Sequence, residues 1–219
     1  NKVKREPECI ENVEIIDAGS EGKSVAKPEG RVVFVPFGVP GDVVDLEVYK
    51  RKKNYFEGKI LNFKKMSDKR VTPVCQHFGL CGGCKWQHLP YRNQLQYKQQ
   101  QVVDALERIA KVPYPKVNDI LGSQNTLHYR NKLEFTFCNR AWLTREQIDA
   151  LGPDGLPTVR NAAGFHIPGA FDKVLNIDRC LLQDDISNRL RLFIRDYADS
   201  HGLTFYDLRA NTGLLRECS

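Results

Sequence analysis

The chain has 219 residues, 41% of them hydrophobic, and a net charge of +6. That length suffices for one large or two modest cores. No run approaches the roughly 18 apolar residues a membrane span needs, and the first residues have no apolar signal segment. Seven cysteines, an odd number with three closely spaced, point to a reducing cytosol rather than a disulfide framework.

The N-terminal stretch alternates in the manner of short strands. Cys9–Ile16 carries Ile10, Val13 and Ile15/Ile16 as apolar members. Turns at Gly19–Gly22 and Pro28–Gly30 flank Ser24–Ala26, and Arg31–Val35 follows. After the turn-rich Pro36–Asp42, Val43–Lys50 and Tyr55–Phe63 complete five strands, the number of a small OB-like barrel. Charge is segregated along this leader. Residues 1–49 carry six basic and ten acidic side chains. Residues 50–70 hold Lys50, Arg51, Lys52, Lys53, Lys59, Lys64, Lys65, Lys69 and Arg70 against Glu57 and Asp68, a net +7. A charge run of this kind is ordinarily a solvated face. Interleaved Tyr55, Phe56 and Phe63 favour a nucleic-acid surface, with cations on phosphates and rings on bases.

Cys75, Cys81 and Cys84 follow, spaced Cys-x5-Cys-x2-Cys, with Gly82 and Gly83 between the last two. Three soft ligands on one tight loop suit a metal centre, which normally takes four. Cys180, in a short loop between a strand and a capped helix, is the favoured fourth. Cys9, Cys138 and Cys218 read as ordinary thiols. Four thiolates suit zinc or an iron–sulfur cluster, and three clustered cysteines plus a remote one favour the cluster.

Pro90–Val112 reads as an amphipathic helix, with Tyr91, Leu95, Val102, Leu106 and Ile109 as its apolar stripe and a glutamine-rich polar face. Leu127–Asn139 reads as a strand. Its core face is Tyr129, Leu133, Phe135 and Phe137, with Asn131 in the same phase, and Arg130 and Lys132 lie on the other face. Thr144-x-x-Gln147 is a capping box opening a short helix that Gly152-Pro153 stops. Val159–Phe165 and Lys173–Ile177 are expected strands around His166–Gly169. A helix capped by Asp184 or Asp185 should turn Ile186, Leu190, Phe193/Ile194 and Tyr197 inward and end at Gly202. Leu203–Arg209 reads as a strand whose hairpin partner begins after Asn211–Gly213. The expected architecture is a barrel over 1–70 and an α+β domain with an antiparallel sheet over 71–219.

Cys75-x5-Cys81-Gly82-Gly83-Cys84, followed by Gln87-His88, resembles the iron–sulfur RNA (uracil-5-)-methyltransferases, in particular the bacterial branch acting on large-subunit (23S) ribosomal RNA. Tyr129-Arg130-Asn131-Lys132, Gly164-Phe165 and Ile177-Asp178-Arg179-Cys180 resemble further pieces of that family in the same order, and the five-strand leader resembles its TRAM domain. The resemblance implies a [4Fe–4S] cluster on Cys75, Cys81, Cys84 and Cys180. It implies ribosomal RNA as partner, with contacts from Lys50, Arg51, Lys52, Lys53, Lys64, Lys65, Arg130, Asn131 and Lys132. It places catalysis and S-adenosylmethionine in a C-terminal Rossmann-like domain, with which the 90–112 helix packs. No Gly-rich loop after a strand and no nucleophile motif stands in these 219 residues. The expectation is therefore a monomeric N-terminal half, without catalytic residues and inactive alone. The alternatives are a transfer-RNA (uracil-5-)-methyltransferase, a stand-alone RNA-binding module with structural zinc, and an electron-transfer protein.

Overall fold

A computed structural model describes residues 7–152, 155, 157 and 159–219. They fall into two compact units. One runs to Val74 and resumes over Lys85–Ser123; the other joins Cys75–Cys84 to Gln124–Ser219. The cysteine loop thus belongs with the later residues, and the helix after Pro90 belongs with the barrel, a division that a single cut at 70/71 does not draw. Among the described residues no helix is long and apolar enough to cross a membrane.

The first unit is built on strands β1 (Glu8–Ala18), β2 (Lys23–Ala26), β3 (Val33–Pro36), β4 (Val43–Arg51) and β5 (Phe56–Lys65). They form a closed barrel in the order β1-β2-β3-β5-β4. Closure needs β1 to pair with both β2 and β4. It does so through a register shift between Ile10 and Val13, where Asn12 takes a left-handed φ of 55° and donates its N–H to Asp45. β3 and β5 meet in parallel, Val33 opposite Phe56. The inward phase of every strand is apolar: Val13, Ile15, Ala26, Val33, Val35, Val44 and Leu46 form one buried core. Ile16, in the opposite phase from Ile15, is exposed.

A buried ion pair fastens the residues that follow β5. Asp42, 0% exposed, accepts from the N–H groups of Val39 (2.7 Å) and Ser67 (2.8 Å) and from Arg70 Nε (2.8 Å) and Nη2 (2.6 Å). Arg70 also donates to Phe37 O and lies 4.8 Å over the Phe63 ring. Helix α1 (Tyr91–Asp104) continues as a π-type turn over Ala105–Ala110 and stops at left-handed Lys111. None of its residues is fully buried, and Val102 and Ile109 of the expected apolar stripe are more than half exposed. The glutamine face holds it instead. Gln101 donates to Ala18 O and Gly19 O, Gln94 donates to Trp86 O and Leu89 O, and Gln99 accepts from Ile120 N.

The second unit contains a five-stranded sheet of β6 (Phe135–Cys138), β7 (Ala141–Trp142), β8 (Ala162–Ile167), β9 (Ala170–Asn176) and β10 (Glu217–Cys218), in the order β10-β6-β8-β9-β7. The sheet is mixed, since β7 runs parallel to β9. The long strand expected over Leu127–Asn139 is reduced to its last residues. His128 adopts a φ of 55°, which an extended run cannot absorb, and the N–H groups of His128 and Arg130 go to Leu181 O and Leu182 O. Leu133, Phe135 and Phe137 are buried as expected, whereas Tyr129 is 53% exposed and Asn131 lies outside the core. Helix α2 (Arg145–Asp149) carries the Thr144–Gln147 capping box, and Gly152 beyond it has a positive φ; Pro153 lies outside the described residues. Leu203–Arg209 meets the tail only through bridges at Phe205–Leu215 and Asp207–Thr212, while Glu217–Cys218 pairs with β6.

Helix α3 (Asp185–Ser200) is capped by Asp184, whose carboxylate accepts from Ile186 N, and gives way at His201–Gly202. Its phase corrects the sequence expectation. Asn188, Arg191 and Ala198 are buried and Ile194 packs beside Phe137 and Phe205. Ile186, Leu190, Phe193 and Tyr197 are exposed by 48–67%. Hydrogen bonds from Asn188 and Arg191 to the carbonyls of Cys180, Asp178 and Ala163 set the rotation of the helix against its count of apolar residues.

Burial opposes the ionisation of Asp42, yet Arg70 and the two backbone N–H groups hold its carboxyl below the ordinary value. A lowered native pKa gives stability that is complete above the unfolded value and is withdrawn as pH falls through the native one. Asp42→Asn should therefore cost about 3 kcal/mol in urea unfolding at neutral pH. The gap from wild type should narrow below about pH 4; an unchanged midpoint would remove this pair from the barrel's support.

Candidate metal centre and basic surface

The Cys75–Cys84 loop folds on its own backbone before it meets anything else. Phe78 N donates to Cys75 O, and Leu80 N and Cys81 N both donate to His77 O, with Gly79 in a positive-φ turn between. Gly83 N approaches Cys81 Sγ at 3.4 Å. A side chain at Gly82 would bring its Cβ to 3.0 Å from His166 O, a contact tight enough that the β8–β9 hairpin would have to shift.

Two clamps bring the loop to Cys180. Buried His77 accepts the N–H of Asp178 on Nε2 (3.2 Å), and Gln76 donates to the Asp178 carboxylate (3.3 Å). Leu80 and Cys81 then pack on the cluster that contains Leu133, Phe135, Leu175, Ile177 and Cys180. The segment leading to Cys180 closes over Gly164, where an added Cβ would meet Leu175 O at 2.0 Å. Asn188 fixes the backbone of Cys180 from both sides, accepting from its N–H (2.8 Å) and donating to its carbonyl (2.9 Å).

The result brings four thiols from two distant segments into one neighbourhood. Burial raises the pKa of Cys81, and the charges of Cys84, Cys180 and Cys75 raise it further. Cys180 is likewise raised by burial and then by Cys84 and Cys75. None is in a disulfide. Among the described residues no three His, Cys, Asp or Glu side chains are arranged to hold a single metal ion. The other thiols lie apart in chemistry: Cys138 is buried with its Sγ near Asp172 O and Arg140 N, Cys9 is exposed on β1, and Cys218 packs beside Phe137 and Phe205.

Beyond Cys180 the chain supports a cationic loop directly. Leu181 O and Leu182 O each accept at 2.8 Å from the N–H groups of His128 and Arg130, and His128 Nδ1 lies 2.7 Å from Gln183 O. Arg130, Asn131 and Lys132 are thereby exposed on a loop rather than on a strand face, and Lys132 pairs with Glu134 at 3.0 Å.

The basic window of the barrel is partly answered by the acidic leader. Lys50 pairs with Glu57 (2.8 Å), Arg51 with Glu8 (3.0 Å), Lys59 with Glu47 (2.9 Å), Lys64 with Asp45 (3.1 Å) and Arg70 with Asp42. Lys52, Lys53, Lys65 and Lys69 are exposed and form no ion pair among the described residues. Of the aromatics, Tyr55 packs edge-on to Phe34, Phe56 lies under Arg31, and Phe63, 39% exposed, lies under Arg70.

Residues that sequence reading passed over are His77, Asn188 and Arg191. His77 stood inside the quoted cysteine motif, where a ring nitrogen next to a ligand was a legible signal. The two helix residues offered none, since polar positions on an amphipathic pattern read as solvent-facing.

Residues 10–61 match the TRAM domain. The chain is 53% identical over 197 residues to a protein of Bacteroides thetaiotaomicron described as an uncharacterized RNA methyltransferase, an alignment covering 90% of this chain and 43% of that one. A Porphyromonas gingivalis protein of the same description is 48% identical over 206 residues, covering 93% and 44%. Among solved structures, the Pyrococcus abyssi tRNA (uracil-54, C5)-methyltransferase in complex with S-adenosyl-L-homocysteine is similar with a TM-score of 0.57. At 20% identity, over 94% of this chain and 41% of that one, that likeness is one of fold. The chain spans less than half the length of the curated relatives it matches. It carries a TRAM domain and is similar, over nine-tenths of its length, to RNA methyltransferases.

Proposed function

We propose that the chain is the RNA-recognition portion of an S-adenosylmethionine-dependent RNA (uracil-5-)-methyltransferase acting on large-subunit (23S) ribosomal RNA in the cytoplasm. Cys75, Cys81, Cys84 and Cys180 hold a [4Fe–4S] cluster in this reading. The observation that carries it is the direct line from the thiol centre to a cationic loop, Cys180 leading into the two carbonyls that anchor His128 and Arg130. The thiols are near enough to perturb one another, and a donor set of four cysteines has the chemistry such a cluster takes. When bound, the cluster supplies a covalent staple between the loop and Cys180.

The chain's own residues then do the recognition. Lys52, Lys53 and Lys65 meet phosphates without first breaking an ion pair, whereas Lys50, Arg51 and Lys64 must exchange a carboxylate for a phosphate. Arg130, Asn131 and Lys132 contact the RNA beside the centre, on single-stranded or splayed segments, because a stacked uracil is out of reach of methyl transfer. Transfer RNA is the second reading, since the solved structure similar in fold is a tRNA (uracil-54, C5)-methyltransferase. Methyl transfer itself needs groups outside these 219 residues.

Binding to 23S ribosomal RNA fragments should weaken with salt by roughly 0.7 log units of affinity per log unit of salt for each phosphate contact. Lys52→Ala with Lys53→Ala should lower that slope more than Lys50→Ala with Lys64→Ala. Affinity indifferent to salt would refute the surface, and tighter binding of transfer-RNA transcripts would select the second reading. In a tritium-methyl assay with S-adenosylmethionine the chain alone should show no transfer; turnover would place catalytic residues within it.

A further inference from the structure

Arg191 on α3 is the largest fully buried side chain, 1% exposed. Its guanidinium donates to Ala163 O (3.1 Å), Asp178 O (3.1 Å) and Asn188 Oδ1 (3.4 Å), and it lies 4.8 Å over the Phe135 ring. Every one of those acceptors is neutral. Nε has no hydrogen-bond partner, and no carboxylate among the described residues forms an ion pair with it. Burial pulls its pKa down to about 10, so it stays cationic at neutral pH. A buried cation held only by neutral hydrogen-bond acceptors is a costly arrangement that an added negative charge nearby would offset.

The groups around Arg191 identify that anion. Asn188 Oδ1 bridges the guanidinium to the N–H of Cys180, and Asn188 Nδ2 returns to the Cys180 carbonyl, so the cation and the Cys180 backbone share one side-chain amide, while Phe135, under the guanidinium, belongs to the same buried cluster as Cys180. Arg195 repels Arg191. Cys180, the Asp178 carboxylate and Cys218 all favour its charge. Asp178 is engaged elsewhere, by Gln76. Cys180 is the fourth member of the thiol centre, whose ligands become thiolates when metal binds.

We propose that Arg191 is the built-in counter-charge of the four-thiolate centre, held in the interior to balance the negative charge that Cys75, Cys81, Cys84 and Cys180 carry when loaded. This rests on the reading that these cysteines bind an iron–sulfur cluster. The burden of the buried cation falls on the empty protein and is offset in the loaded one, so a single side chain couples loading to stability. The same field favours the more reduced, more negative state of the cluster.

The test compares wild type, Arg191→Gln and Arg191→Lys after anaerobic reconstitution with ferrous iron and sulfide. The readouts are iron loss to an excess chelator, the midpoint potential, and thermal unfolding of empty and loaded forms. Arg191→Gln should lose iron about tenfold faster and shift the potential to more negative values. Empty, it should melt no lower than wild type. Arg191→Lys, which keeps the charge, should hold iron as wild type does. Iron retention unchanged in Arg191→Gln overturns the proposal. So does Arg191→Lys losing iron as fast as Arg191→Gln, which would make Arg191 a brace for Ala163 and Asp178 alone. If Arg191→Gln does not fold, Arg191→Lys against wild type decides, with faster loss counting against the proposal. A wild type that takes up zinc and no iron defeats the cluster reading instead, and the same comparison made with zinc still decides the role of Arg191.

Discussion

Four thiols held together from two ends of one unit are the constraint around which the rest is arranged. The Cys75–Cys84 loop has little apolar mass of its own: Leu80 and Cys81 are its main contribution to a core. It is kept in place by polar contacts to a three-residue stretch, Asp178–Cys180, through His77 and Gln76. Such contacts contribute about 1 kcal/mol each, too little to hold ten residues against their chain entropy without a further link. Metal–thiolate bonds are that link in the proposed reading. The next two residues carry the Leu181 and Leu182 carbonyls, so whatever fixes Cys180 also steadies the loop that presents Arg130 and Lys132.

Charge follows a parallel logic in both units. In the barrel, the acidic leader and the basic window that follow one another in sequence become neighbours across strands, and most of the long-range charge contrast is spent inside the fold. What remains for a polyanion is narrower than the +7 window implies, concentrated in Lys52, Lys53, Lys65 and Lys69. In the second unit a cation is buried rather than displayed, and it shares the Asn188 amide with the Cys180 backbone. Positive charges thus have three settings in the fold: pairing across the barrel strands, exposure at Lys52, Lys53, Lys65 and Lys69, and burial at Arg191.

The barrel was legible because its strands alternate and all its turns but the one between β4 and β5 are marked by glycine or proline, so periodicity and punctuation agree. All five strands came within a few residues of their observed bounds. The second unit was less so, and for identifiable reasons. Leu127–Asn139 alternates well, but its first half takes its hydrogen bonds from the Cys180 segment, a partner that alternation cannot name. Helix α3 carries enough apolar residues to define a face, yet Asn188 and Arg191 take the buried side because they satisfy backbone carbonyls there. Cys75, Cys81 and Cys84 stood out by their spacing. That Cys180 rather than Cys138 joins them depends on a tertiary approach, which the glycine at 164 permits and His77 secures.

The most direct measurement is the iron and acid-labile sulfide content of the protein purified without oxygen, beside Cys180→Ser. The account predicts about four of each per chain with a broad visible absorption band in the wild type, and loss of both in the variant. One zinc per chain with no visible band, or a Cys180→Ser protein that keeps its full iron, would contradict it.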